Sequence, residues 1–174
     1  YEANMSMHHA DVILCVGARF DDRVTNGPSK FCPDARIIHI DIDPAAISKT
    51  ITAHVPIVGA VEPVLFDMLA QLKELNVSKP NPEQIGQWWA QINQWRAHHG
   101  LRYEPAVKGG EMKPQQVVEA LYKITNGQAI ITSDVGQHQM FAALYYKYQE
   151  PRQWINSGGL GTMGVGLPYA MAAK

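Results

Sequence analysis

Val12-Ile13-Leu14-Cys15-Val16-Gly17 is the stretch on which the fold reading turns. A short apolar run rich in β-branched residues, preceded by Asp11 and closed by glycine, fits a strand buried on both faces of a parallel sheet. The same form recurs at Arg36-Ile37-Ile38-His39-Ile40-Asp41-Ile42, which Asp43-Pro44 stops, and again at Val55 to Val58 before Gly59. Residues 18–34 between the first two runs read as loop, punctuated by Asn26-Gly27-Pro28 and Cys32-Pro33-Asp34. Ala45 to Ala53 suits a short helix. From Val61 to Leu75 the residues Val64, Leu65, Met68, Leu69, Leu72 and Leu75 recur at three- and four-residue steps, as in an amphipathic helix laid on a sheet.

A proline-punctuated polar break at Asn76 to Pro82 precedes a second helical pattern, with Ile85, Trp88, Trp89, Ile92 and Trp95 on one stripe. Docking by this aromatic face accounts for the tryptophans more simply than an aromatic binding surface does. His98 and His99 suit the C-terminal end of that helix better than a metal site. Gly100 to Gly110 reads as linker. A helix begins after Lys113-Pro114 and ends at Asn126-Gly127. Strands follow at Ala129–Thr132 and Trp154-Ile155, with a helical stretch from Met140 to Tyr148 between them and another helix after Pro168. Strand–helix order on both sides of a linker gives an α/β fold class, parts of two open parallel-sheet domains.

The 174 residues are 46% hydrophobic and 18% charged, which excludes a disordered chain or a coiled coil. Fifteen basic against sixteen acidic residues give a net charge of -1 and no electrostatic track for nucleic acid. No apolar run approaches the ~18 residues of a membrane span. Cys15 and Cys32 read as reduced thiols, although spacing alone leaves a disulfide open. The chain opens at Tyr1 and stops within an apolar helix, as expected of an internal piece of a longer protein.

Ligands of open α/β sheets sit beyond the carboxyl ends of the strands. Four segments fall there. In Gly17-Ala18-Arg19-Phe20-Asp21-Asp22-Arg23, the glycine permits close backbone approach and the arginines suit phosphate oxygens, while internal Asp–Arg pairing is the alternative. Asp41, 24 residues after Gly17, suits a ribose hydroxyl, or else Asp41 and Asp43 merely cap the turn before Pro44. Ser157-Gly158-Gly159-Leu160-Gly161-Thr162-Met163-Gly164-Val165-Gly166 places five glycines within nine residues ahead of a helix, and so can wrap a ligand or form a plain tight turn. Asp134-Val135-Gly136-Gln137-His138-Gln139-Met140 offers donors to a phosphate, though a lone histidine commonly satisfies a backbone carbonyl. Ligand spacing for a metal is absent here.

Taken together, Gly17-Ala18-Arg19-Phe20-Asp21-Asp22-Arg23-Val24, His39-Ile40-Asp41-Ile42-Asp43-Pro44, Gly136-Gln137-His138-Gln139-Met140-Phe141 and Ser157 to Gly164 resemble the catalytic large subunits of the acetolactate synthases, the bacterial isozyme III type above all. The resemblance extends back through Tyr1-Glu2-Ala3-Asn4-Met5 and covers nearly the whole chain. It implies that residues 1–76 are the C-terminal half of a middle, FAD-holding domain, 77–110 a helical linker, and 111–174 the N-terminal part of a thiamine-diphosphate-binding domain. It further implies a cytoplasmic enzyme of branched-chain amino-acid synthesis using thiamine diphosphate, FAD and Mg²⁺. Such an enzyme decarboxylates pyruvate and joins the two-carbon unit to pyruvate or 2-oxobutanoate. A second catalytic subunit and a small regulatory subunit would be its partners, with no nucleic acid or membrane involved.

By the same resemblance Gly17, Ala18, Arg19, Asp21, Val24, Asp41 and Gly59 line FAD, as do Gln139, Met140, Gly158 and Gly159. Val135, Gly136, Gln137 and His138 hold the diphosphate of the thiamine cofactor, and Gly161 with Met163 its ring end. Met163, Gln139 and Arg23 are the residues implied nearest the chemistry: Met163 pressing on the bent cofactor, Arg23 at the substrate channel mouth. The family's Mg²⁺ ligands and its activating carboxylate fall outside these 174 residues, so the piece alone is expected to be inactive. Departures from the family pattern are Ala60 in place of aspartate, Val165 in place of an aromatic residue, and Tyr169 in place of alanine. A related carboligase such as glyoxylate carboligase, or a cofactor-binding module without chemistry, is the alternative reading.

Overall fold

The computed structural model describes residues 1–107 and 109–173, which divide into two compact units, Tyr1–Gly100 and the residues from Leu101 onward. In the first, β1 (Val12–Val16), β2 (Arg36–Asp41) and β3 (Val55–Val58) form a parallel sheet in the order β1-β2-β3. Ile13 pairs with Ile37, and Cys15 with His39, which in turn faces Pro56. Proline is tolerated there because β3 is an edge strand, with one side free of ladder donors. One face of this sheet is closed by a cluster of Cys15, Phe20, Ile37 and Ile51, against which Phe31 packs. Phe20 meets Phe31 and His39 edge-on, with ring centroids 5.7 and 5.0 Å apart.

β1 departs from the expected burial on both faces. Val12, Leu14 and Val16 are exposed while Cys15 is buried, because β1 is the other edge strand and is covered on one side only. Residues 18–34 contain two short helices that the breakers concealed: α2 (Asp22–Thr25) and a single 3-10 turn, Pro28–Lys30. The helix expected at 45–53 is instead a series of turns. Ser48 adopts φ 58°, and its hydroxyl accepts the N–H of Ala53, so local side-chain bonding replaces the helical ladder.

α3 (Val61–Glu74) lies against β2, as its periodicity requires. α4 (Pro82–His99) packs on α1 (Glu2–His8), a helix for which the sequence offered no reading. His9 stacks on Trp95, with centroids 5.3 Å apart, and Arg96 lies 3.6 Å from the Glu2 carboxylate. The stripe on α4 is narrower than expected: Ile92 is buried and Trp88 and Trp95 half-buried, but Trp89 and Ile85 face solvent. The segment read as a linker, 77–110, is thus divided, since α4 lies in the first unit and residues from Leu101 lie in the second.

The second unit holds β4 (Ile131–Thr132) and β5 (Trp154–Ile155), paired in parallel. α5 (Pro114–Thr125) packs on α6 (Gln137–Tyr145), and α7 (Gly166–Ala173) on β4. Tyr146 is the centre of the packing: it meets Tyr122 edge-on at 5.4 Å and takes part in a 2.9 Å hydrogen bond with the Thr125 hydroxyl. Buried Gln153 donates to the Gly127 carbonyl and accepts the N–H groups of Gln149 and Glu150, which fixes the turn into β5. Tyr103, Ala106 and Lys113 are tied to α5 as well. The Tyr103 hydroxyl donates to Glu119 at 2.6 Å, and the Gln116 carbonyl oxygen accepts the N–H groups of Ala106 and Lys113.

Candidate functional site

In the first unit the candidate residues gather at the carboxyl ends of β1 and β2. Gly17 turns the chain at φ 64°, a conformation natural to glycine, while its N–H donates to the Ile40 carbonyl. His39, fully buried beneath the loop, bonds through Nε2 to the Ala18 carbonyl at 2.9 Å; the acceptor being a carbonyl, Nε2 carries the proton. Asp21 caps α2, accepting the N–H groups of Arg23 and Val24 on one oxygen. On the other it accepts Nε of Arg19 at 3.0 Å, with a second guanidinium nitrogen at 2.9 Å. The Arg19 hydrogen bond, followed by those backbone amides, holds the Asp21 carboxyl below the usual carboxylate range.

Arg19 and Asp21 line a cavity of about 510 Å³ together with Asp22, Asp43 and Lys49. Arg23 and Val24 face a different cavity, of about 700 Å³, shared with Met5, His8, His9 and Lys30. The structure therefore does not bring all the first-half residues to one place. Asp41 does what the plainer reading required, accepting the Asp43 N–H at 2.9 Å, and Asp43 in turn accepts that of Ala45. Gly59 is explained by packing: a Cβ there would meet Val64 at 2.9 Å, and its N–H donates to the Asp41 carbonyl. Ala60 is the N-cap of α3 and supplies no side-chain acceptor.

In the second unit two turns meet beyond the end of β4. Gly136, at φ 149°, is the N-cap of α6, and a Cβ on it would press on the His138 ring at 3.1 Å. Gln139 and Met140 donate their N–H groups back to the Gly136 carbonyl, whereas those of Gln137 and His138 are in the first turn, where a helix provides no partner. The side chains of both are exposed, as is that of Met140. Facing this helix start is the glycine-rich turn, with Gly161 at φ 63° and Gly164 at φ 88°. Ser157 accepts the Gly161 N–H on its carbonyl and the Thr162 N–H on its hydroxyl, so the turn projects Leu160 and Met163, which are 93% and 78% exposed.

Asp134, quoted in the candidate segment but given no role of its own by the sequence, joins the turns. Its Oδ1 accepts the N–H groups of Val135 at 2.8 Å and Gly164 at 2.9 Å, and its Oδ2 accepts that of Gly166 at 3.1 Å. Those amides, Val135 foremost, lower the pKa of its carboxyl. The only hint in the sequence was an acidic residue at a strand exit; two of its three partners lie 30 and 32 residues away. Asn156, also unanticipated, accepts from the Gln139 side chain at 3.2 Å and lies 2.9 Å from where a Gly158 Cβ would stand, which brings those two expected residues together. Among the described residues no group of three His, Cys, Asp or Glu side chains is placed to hold a metal ion, and no helix is long and apolar enough to cross a membrane. Cys15 and Cys32 are buried free thiols whose pKa values burial raises.

Parallel α/β layers with a glycine-lined helix start beyond the strand ends define a class. Residues 1–71 match the thiamine pyrophosphate enzyme central domain, and residues 134–174 the C-terminal TPP binding domain of the same enzymes. Within that class, the chain is 58% identical over all 174 residues to the acetolactate synthase isozyme 3 large subunit of Escherichia coli. It is 55% identical over its full length to the acetolactate synthase large subunit of Buchnera aphidicola subsp. Schlechtendalia chinensis, and 53% identical over 99% of its length to that of Haemophilus influenzae. Along its whole length the chain is thus similar to acetolactate synthase large subunits, and its two matched domains are those of thiamine pyrophosphate enzymes. The chain spans about 30% of the length of these relatives.

Proposed function

We propose that the intact protein is an acetolactate synthase, decarboxylating pyruvate and joining the two-carbon unit to a second pyruvate or to 2-oxobutanoate in branched-chain amino-acid synthesis. One observation carries this reading: the exposed start of α6 and the Met163 turn are joined through Asp134, in a chain whose relatives bear that name at up to 58% identity. The donor set fits the diphosphate of thiamine diphosphate. The Gln137 and His138 amides open a helix, a position that favours phosphate oxygens, and Gly136 keeps side-chain bulk away from them. Thiamine diphosphate supplies, when bound, the electron sink for decarboxylating a 2-oxoacid.

This chain's residues would bind and orient. Val135, Gly136, Gln137 and His138 receive the diphosphate, and Gly161 leaves room at the ring end. Met163, a soft apolar side chain standing out from the turn, offers a surface that holds the cofactor bent and sheds water from it. In the first unit Gly17, Ala18, Arg19, Asp21, Val24, Asp41 and Gly59 are assigned to FAD; of these, Arg19 and Asp21 line the cavity of about 510 Å³, where Arg19 and Lys49 are the cations that suit a pyrophosphate beside Asp22 and Asp43. Gln139, Met140, Gly158 and Gly159 are assigned to flavin as well, and Arg23 to the substrate carboxylate. Mg²⁺ would be held by residues outside this chain. A second catalytic chain and a small subunit are the proposed partners, the latter consistent with relatives named large subunits, and the cytoplasm is the proposed location.

Incubating the intact protein with pyruvate, thiamine diphosphate, Mg²⁺ and FAD tests the reading. Acetolactate should accumulate, and omission of thiamine diphosphate should abolish it. Consumption of glyoxylate with no acetolactate from pyruvate would show the related carboligase instead.

A further inference from the structure

The junction made by Asp134 is tight from both sides. Its carboxylate accepts three backbone N–H groups, two of them on Gly164 and Gly166 across the turn. From the other side, a Cβ on Gly166 would stand 2.8 Å from the Asp134 nitrogen and 3.2 Å from the Ser133 carbonyl carbon. The Thr132 hydroxyl donates to the Gly166 carbonyl at 3.1 Å, closing the contact along β4. Among the described residues of 134–138, Asp134 alone is hydrogen-bonded to the glycine-rich turn. Within the turn Ser157 holds the Gly161 and Thr162 amides, but Met163 lies past those bonds, beside left-handed Gly164, whose N–H is held by Asp134.

We propose that Asp134 is a positioning residue, which sets the separation between the α6 turn that receives the diphosphate and the turn that presents Met163. It touches neither cofactor nor substrate, because both carboxylate oxygens are committed to backbone amides. The inference rests on the thiamine diphosphate reading above. The chemistry demands a carboxylate. Asparagine keeps one oxygen, and its amide nitrogen would face Gly164 or Gly166 donor to donor. With that bond lost, the α6 turn survives but Met163 is no longer held at a fixed distance from it.

Two calorimetric titrations of the intact protein, both with Mg²⁺, separate positioning from general stability. One uses thiamine diphosphate, which spans both turns; the other uses inorganic diphosphate, which reaches the α6 turn alone. Asp134→Asn should weaken thiamine diphosphate binding about tenfold or more, the scale on which loosened positioning acts, and leave inorganic diphosphate within about twofold. Gly166→Ala strains the same junction with the carboxylate intact and should show the same split, so a poorly folded Asp134→Asn does not end the test. Unchanged thiamine diphosphate affinity in both variants, or parallel loss of both ligands, overturns the role of Asp134 while leaving the functional reading standing. Failure of the unsubstituted protein to bind thiamine diphosphate overturns both.

Discussion

Met163 and His39 show how a residue's surroundings decide what it does. Met163 is mostly exposed on a glycine-rich turn, so it contributes little to the stability of its own unit. Met163→Ala should therefore unfold within about 0.5 kcal/mol of the parent while acetolactate formation drops about tenfold or more, the scale of misplaced reacting groups. Denaturant titration and a turnover assay on one preparation check the pair of outcomes. His39 is the converse. A histidine in an apolar strand gives no hint whether it is ligand or core, and only the fold shows it buried, holding the Ala18 carbonyl, with Nδ1 left without a partner. The sequence placed Gly17, Gly136 and Gly161 at turns because glycine alone enters those backbone regions freely. It could not find Asp134, whose meaning depends on amides brought to it from the far side of β5.

Among the elements, α3 carries a visible defect. Ala60 takes the extended N-cap conformation, φ -66° and ψ 140°, yet offers no oxygen to the free amides of the first turn. The resemblance drawn from the sequence would put aspartate there, and the geometry would give such an aspartate a helix-capping task independent of any flavin. Ala60→Asp should raise the stability of the first unit by about 1 kcal/mol, read as a higher midpoint in urea. The long elements were legible for one reason: α3, α4 and α5 repeat apolar residues three and four positions apart, and that period stands in the sequence even though Ile92 is the one residue of these helices that is buried. The short ones were not. α2 owes its existence to one aspartate cap, and 45–53 fails to be helical through one serine at φ 58°, details that periodicity does not register.

Across the whole molecule, acid should act on both units by the same route. Asp21 in the first and Asp134 in the second are each held ionised by hydrogen bonds present only when folded, so their folded pKa values lie below the unfolded ones. A depressed carboxylate pKa contributes stability above the unfolded value, about 4, and surrenders it as pH falls through the folded value. The melting temperature should thus decline below about pH 4, less steeply in Asp134→Asn, as calorimetry across pH 2–6 in roughly half-unit steps would record. At the alkaline end, the bond to Glu119 pushes Tyr103 up to about 12, and burial does the same for Tyr148. Raised pKa values of this kind stabilise below the unfolded tyrosine range and lose their effect as pH climbs through the folded values. What the chain's linear order determined was the α/β class, the parallel strands, the main helices and the family resemblance. Each of these follows from apolar spacing, or from motifs that are contiguous in sequence. Tertiary structure decided which motifs meet: it separated Arg19 from Arg23 into different cavities and brought Asp134 against Gly164 and Gly166. Hydrogen bonds spanning 30 residues of chain depend on where strands end in space, and no local pattern encodes that.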